Sequence, residues 1–245
     1  MRLFVLIILA YSQNAIADKN LALLKNSTGD SVYINNNVCF NARGATDGRL
    51  SNDSHNCGCF LGGGLSEVAW LMVDLEAPYF IDRMTLITDA YSFGYMSHFI
   101  AGGSNAGNTP QRGTYYICNQ YEFFITISDA YTVKCNANIP ALRYIIIQQR
   151  INAGASLNVC ELLVYEARSK DSKLWNRLVD RRLIQTALLS FEKKSVKSCL
   201  AQCSQLKCDS VNYNPKSGSC EVFVHPFGYF NGSVPTKIVY FCDFA

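Results

Sequence analysis

The sequence predicts a mainly β protein of the extracellular space, followed by a smaller α+β block. Three observations carry that prediction: short β-type runs separated by Gly, Asn and Ser over residues 18–167, a single helix-like stretch at 195–205, and eleven cysteines behind an N-terminal secretory pattern.

The chain opens with Arg2, the apolar run Leu3 to Ala10 and then Asn14-Ala15-Ile16-Ala17. That order of charge, short apolar stretch and small residues reads as a signal peptide over residues 1–17, cleaved after Ala17. The run falls short of the roughly 20 apolar residues that span a bilayer, and no later segment is longer, so no membrane span is expected. Cleavage leaves 245 − 17 = 228 residues, room for one large domain or two smaller ones. Without Arg2 the balance is 21 Lys+Arg against 19 Asp+Glu, a net of +2. Such a balance excludes a nucleic-acid binder that works by neutralising many phosphates. Asn26, Asn52 and Asn231 each head an N-x-S/T sequon, as expected of a secreted glycoprotein.

The clearest β-type runs are Ala69–Leu75, Phe80–Thr88, Glu122–Ile127, Arg143–Gln149 and Cys160–Ala167. Between them lie turn-rich loops such as Gly102–Gly113. Together these features predict an antiparallel sandwich or barrel. In the last run Leu162, Val164 and Glu166 alternate with Leu163 and Tyr165, the signature of a half-buried strand. Cys160 and Glu161 therefore stand where that strand leaves a loop, positions suited to a covalent tie and a ligand.

The stretch Arg168 to Arg182 is rich in cations but also holds Asp171 and Asp180, and it reads as a solvated linker. Ser195 can cap a helix over 195–205, in which Cys199 and Cys203 are four apart and share one face. Two β-type runs follow, Ser210–Tyr213 and Cys220–Val224, joined by NPKSGS. So small a block has a small core and needs staples, which five cysteines can supply. No nucleophile elbow, H-E-x-x-H or phosphate loop is present, and the protein is not expected to be an enzyme. His55-x-Cys57-x-Cys59 resembles a zinc cluster in spacing, but an oxidising compartment favours disulfides there.

Several spaced motifs resemble the discoidin (coagulation factor V/VIII type C) jelly rolls and, within them, the F-type lectins. They are Asn20-Leu21-Ala22-Leu23, Ala45-Thr46-Asp47-Gly48 with Asn52-Asp53, Trp70-x-x-Val73-Asp74-Leu75 with Tyr79-x-Ile81, Leu142-Arg143-Tyr144-Ile145 and Leu157-x-x-Cys160-Glu161-x-x-Val164. The second block resembles a PAN/apple module through Ser195-x-x-x-Cys199-x-x-x-Cys203, Cys208, Asn212-Tyr213 and Cys220-Glu221-Val222. The resemblance implies a galactose-binding-like jelly roll of eight strands over 18–168 and an apple-like domain over 169–245.

It also implies a structural Ca²⁺, with carboxylates from Asp47 and Glu161 and main-chain carbonyls from Gly44, Arg49 and Cys160, a hard-oxygen set that calcium accepts. Cys160 would pair with Cys57 or Cys59, Cys39 with whichever remains, and Cys118 with Cys135. In the apple-like block the implied bridges are Cys199–Cys220 and Cys203–Cys208. Cys242 is then left over, which suggests a disulfide-linked dimer.

The lectin sugar site uses a histidine from the early loop and an Arg-x-Asp segment after the run that follows the W-x-x-V-D-L motif, here Phe80–Thr88. Here His55 stands in about the right loop, but residues 88–93 read Thr-Asp-Ala-Tyr-Ser-Phe, without the arginine. Tyr91 and Phe93 could offer apolar faces to a ligand, and His98 and Arg112 are expected near the same rim. The expected function is glycan or glycoprotein recognition by loops at the mouth of the jelly roll. The alternative is a protein adhesion or matrix component that has lost sugar binding and holds another protein through its apple-like module.

Overall fold

The computed structural model describes residues 18–30, 41–50, 58–62, 69–89, 99–111, 114–121, 125, 129–135, 137, 139–149, 157–168, 173–178, 182–183, 187–206, 208, 210–223, 233–234 and 238–244. Residues 1–17, Cys39, Asn52, Cys57 and Asn231 lie outside them, and with them the signal peptide, two sequons and the partner expected for Cys39.

Alternating apolar side chains build the first block into two facing antiparallel sheets. The strands in chain order are β1 (Asn26–Gly29), β2 (Phe60–Gly62), β3 (Trp70–Tyr79), β4 (Ile81–Ile87), β5 (Ile100–Ser104), β6 (Tyr116–Gln120), β7 (Ala130–Lys134), β8 (Leu142–Gln148), β9 (Leu157–Val159) and β10 (Glu161–Glu166). One sheet has the order β1-β3-β8-β5-β6, the other β10-β4-β7, and β2 pairs with β9 in a short ribbon. The two main sheets thus hold 5 + 3 = 8 strands among the described residues, as the jelly-roll expectation requires. Leu71, Val73 and Leu75 of β3 and Ile145 and Ile147 of β8 meet Met84 and Leu86 of β4 and Leu162 and Val164 of β10 in one buried core. The period of two in each strand puts these residues on a single face.

Register defines two ends. β3 and β5 begin at one end, at Trp70 and Ile100, where β8 and β6 finish at Gln148 and Gln120. In the second sheet β10 begins there at Glu161 and β4 finishes at Ile87. We call this end the mouth.

Several strands depart from the sequence reading. Gly102 and Gly103, read as part of a loop, lie inside the buried strand β5. A Cβ at Gly102 would stand 2.2 Å from the Tyr116 carbonyl oxygen and one at Gly103 2.4 Å from that of Tyr144, so only glycine lets the neighbouring backbones approach. The edge of this sheet is Tyr116–Gln120, N-terminal to the Glu122–Ile127 run read as a strand; of that run only Ile125 is described, and it is buried. Strand β7 has the alternation of a half-buried strand in Ala130–Lys134, with Tyr131 and Val133 facing inward.

Ion pairs lock the ends of the chain against the sheets. Asp18 accepts from Arg83 at 2.7 Å and Arg168 at 2.9 Å, joining the start of the described chain to β4 and to the residues past β10. The Arg83 guanidinium, and after it that of Arg168, hold the Asp18 carboxyl below the ordinary carboxylate range. Arg143 grips Asp74 with two bonds of 2.8 and 2.9 Å, tying β8 to β3.

The second block folds on its own sheet, in the order β11 (Lys173–Leu178), β17 (Ile238–Phe244), β14 (Ser210–Tyr213), β15 (Ser219–Phe223) and β13 (Leu189–Glu192), with β12 (Arg182–Leu183) paired to β16 (Ser233–Val234). The stretch read as a solvated linker therefore contains a strand, Lys173–Leu178, in register with residues 239–244. Its partner lies more than sixty residues onward, so local composition carried no trace of the pairing. Helix α1 (Val196–Leu206) packs Cys199 and Cys203 against Val211, Tyr213, Cys220 and Val222. The Cys199–Cys220 and Cys203–Cys208 bridges form as the resemblance implied.

Ser195 caps the helix as expected, its hydroxyl accepting the Ser198 N–H at 3.2 Å. Ser195→Ala is expected to destabilise this block by about 1 kcal/mol, because one helix-end donor loses its acceptor. Thermal unfolding monitored by far-UV circular dichroism checks it.

Candidate functional site

The mouth is assembled from two segments more than a hundred residues apart. Residues Ala42–Thr46 form a single 3₁₀ turn with Gly44, Ala45 and Thr46 buried, and Asp47 closes it. Asp47 Oδ1 accepts the Arg49 N–H at 2.8 Å, and the Arg49 side chain lies 3.8 Å from Oδ2. Gly48 takes φ of +82°, a left-handed conformation that glycine adopts without strain. Its N–H donates to Glu161 Oε2 at 3.2 Å, which joins the early loop to the start of β10.

Glu161 is 0 % exposed. Its second oxygen, Oε1, is enclosed without a hydrogen-bond partner. Burial pushes its pKa from the ordinary 4.5 to about 8, and the negative Asp47 carboxylate nearby adds to the rise against the opposing Gly48 bond. A buried, half-bonded carboxylate beside a second one is the pattern that a hard cation relieves. Gly44 and Arg49 belong to the same loop, and Cys160 directly precedes Glu161. Asp47 and Glu161 are the only side-chain ligands of the set implied by the resemblance, and among the described residues no group of three or more His, Cys, Asp and Glu is clustered for a metal.

The tie at Cys160 goes to Cys59, resolving the choice that the sequence left open. It draws the β9–β10 junction to the segment before β2, and the Cys160 N–H bonds the Ile87 carbonyl at 2.8 Å on the other side. Cys118 and Cys135 are bonded as expected.

The five residues expected to touch a ligand, His55, Tyr91, Phe93, His98 and Arg112, lie outside the described residues. Their brackets are described. Gly48 and Cys59 on either side of His55 both adjoin the Cys160–Glu161 segment, and Tyr91, Phe93 and His98 fall between Asp89 and Phe99, which follow β4 and precede β5 at the mouth. Arg112 is different. It falls in the sequence between β5, which ends at Ser104 opposite Tyr144, and β6, which begins at Tyr116 opposite Gly103, and those strand ends lie at the other end of the sheet from Gln148.

Sequence reasoning passed over three aromatic residues at the mouth. Phe99 and Tyr121 stack with ring centroids 5.3 Å apart and their planes 6° from parallel, and Tyr131 meets Tyr121 edge-on at 5.3 Å. Asp89, in the segment where the arginine was sought, is buried at the end of β4. The aromatic spacing of 10 and 22 residues gives no local signal; only strand register gathers the rings.

An eight-stranded jelly roll with a two-carboxylate loop site, followed by a helix stapled to a small sheet, defines a galactose-binding-like module joined to a PAN-type module. Residues 175–241 match the family described as PAN domain. The fold as a whole is similar to that of an f-lectin (fucolectin) from striped bass (Morone saxatilis) serum, at 16 % identity, 93 % of each chain and a TM-score of 0.50. Lower-scoring similarities include the lectin domain of lectinolysin complexed with Lewis b antigen (18 % identity, 61 % of this chain and 97 % of that one, TM-score 0.48). Another is a Streptococcus pneumoniae fucose binding module (18 %, 61 % and 96 %, TM-score 0.46). No curated protein matches the sequence. Among the described residues no helix is long and apolar enough to cross a membrane.

Proposed function

We propose that this chain is a secreted, non-catalytic recognition protein that binds glycans or glycoproteins through the loops at the mouth of its jelly roll, stabilised there by Ca²⁺. The single observation that carries the reading is Glu161, wholly buried at the mouth with one oxygen unbonded and Asp47 close by. Asp47 and Glu161 would hold the ion with carbonyls of Gly44, Arg49 and Cys160, and a bound calcium would supply fixed positive charge that draws the early loop onto β10. The names of the neighbours point the same way: a fucolectin, a Lewis b complex and a fucose binding module.

A second reading rests on the absence of arginine from residues 88–93, which removes the cation expected to grip ring hydroxyls. In that reading the protein is an adhesion or matrix component and the PAN module holds a partner protein. A glycan array probed with Ca²⁺ and again with chelator separates the two. Calcium-dependent binding that Glu161→Gln abolishes is the expected result; no binding to any glycan class moves the assignment to adhesion.

Eleven cysteines, eight of them in four described bridges, leave Cys39, Cys57 and Cys242. An odd number cannot pair within one chain, and we assign the unpaired thiol to Cys242 in a disulfide-linked dimer. Non-reducing electrophoresis should show a dimer that Cys242→Ser converts to monomer.

A further inference from the structure

The turn that opens the first block holds leucines out in water. Leu24 is 76 % exposed, Leu23 45 % and Leu50 66 %. Leu23 reaches the Gly48 turn, where a Cβ on Gly48 would lie 2.7 Å from Leu23 Cδ1, and Leu50 follows two residues on in the chain. Leu24 also sits at φ +58°, in the left-handed region that side chains other than Gly, Asn and Asp seldom enter, and its N–H is fastened to the Thr46 carbonyl at 2.6 Å. An apolar side chain is thus presented to solvent by a conformation that itself costs free energy.

Two residues later comes Asn26, exposed, at the start of β1. Strand β1 is the edge of the five-stranded sheet: among the described residues it pairs with β3 alone, through Asn26↔Asp74 to Gly29↔Leu71. Thr28, which completes the Asn-Ser-Thr acceptor sequence, is exposed as well. The acceptor sequence and the strained apolar turn therefore adjoin one another on the surface of the first block.

We infer that Asn26 carries an N-linked glycan whose structural task is to cover the exposed Leu23–Leu24 turn. In the attachment step the Asn26 side-chain amide nitrogen loses a proton and bonds to C1 of the first sugar of a lipid-diphosphate-linked oligosaccharide. The C1–O bond breaks, and the lipid diphosphate leaves with its electron pair and takes up the proton. A sugar chain rooted beside the leucines can lay its C–H faces on them while its hydroxyls stay hydrated. Its bulk also keeps a second molecule from docking on the leucines, the hazard of any exposed apolar patch.

The test uses the full chain secreted from animal cells. Peptide mass analysis before and after enzymatic deglycosylation should find Asn26 occupied. Asn26→Gln and Thr28→Ala, which remove the acceptor by different residues, should each raise the fluorescence of an apolar dye severalfold and introduce concentration-dependent association in light scattering. Adding Leu24→Ser to either variant should abolish both effects. A bare Asn26 in the secreted protein, glycan-free forms with unchanged dye binding and size, or association that Leu24→Ser leaves untouched would each overturn the inference. None of these variants touches Asp47 or Glu161, so the outcome is independent of the lectin reading.

Discussion

Replacing Cys59 and Cys160 together by serine is expected to cost the jelly roll about 4–5 kcal/mol, the chain-entropy value for a closed loop near one hundred residues. The two cysteines are 101 residues apart in sequence, and both are completely buried. Their bridge is the covalent fastening between the segment before β2 and the first residue of β10, so its loss also loosens the seat of Glu161. The double variant of Cys118 and Cys135, separated by 17 residues, should lose only about 3 kcal/mol on the same estimate. Urea unfolding of both double variants, followed by tryptophan fluorescence, gives the comparison. Equal losses would show that strain or residual unfolded structure, rather than loop length, sets the stabilities.

Glu161→Gln is expected to invert the order of stability between chelator and calcium. Burial raises the folded-state pKa of Glu161 from 4.5 to about 8, so the folded protein holds this proton more tightly than the unfolded chain does. Without a cation, stability should then be full below pH 4.5 and decline as pH rises toward about 8, where the folded carboxyl finally ionises. Each pKa unit corresponds to roughly 1.4 kcal/mol, which makes this decline on the order of a few kcal/mol. Glutamine carries no titrating proton. In chelator at pH 8 the variant should therefore be the more stable protein, and its profile should lack the decline. Calcium should reverse the ranking, because an ion that binds only the folded wild type stabilises it by mass action and cannot use the neutral amide equally well. Thermal unfolding from pH 4.5 to 8.5, with and without calcium, reads both effects. A wild type indifferent to calcium throughout would remove the cation from the site.

Opposite signs should appear for Asp18 and Asp74, whose arginine partners lower their pKa values. Their contributions are present above the ordinary carboxylate range and fade as pH falls through the depressed values. Acid unfolding of this protein thus begins at its ion pairs, while the mouth is strained from the alkaline side.

Much of the architecture was legible in local chemistry. The runs that became β3, β4, β8 and β10 are short, apolar and rich in β-branched residues, aromatics and leucine, a composition that favours a strand whatever its neighbours are. Ser195 announced its helix because capping needs only the next three residues. Asp47 and Glu161 were marked as partners by their motif, and the Gly48–Glu161 bond places their segments together. The failures share another cause. Gly102 and Gly103 look like turn residues until the approach of the adjacent backbones is seen, and Lys173–Leu178 looks like a linker until β17 returns to pair with it.

What the sequence determined by itself was the class of molecule: a cysteine-rich, mainly β chain with a stapled helix near its end. These properties follow from side-chain chemistry and short-range periodicity. Only the tertiary structure decided that Cys59 rather than Cys57 meets Cys160, that Lys173–Leu178 pairs with β17, and that Glu161 is desolvated. Each depends on which distant strands become neighbours, since distance between sulfurs, side of a sheet and loss of water are properties of packing rather than of any one residue.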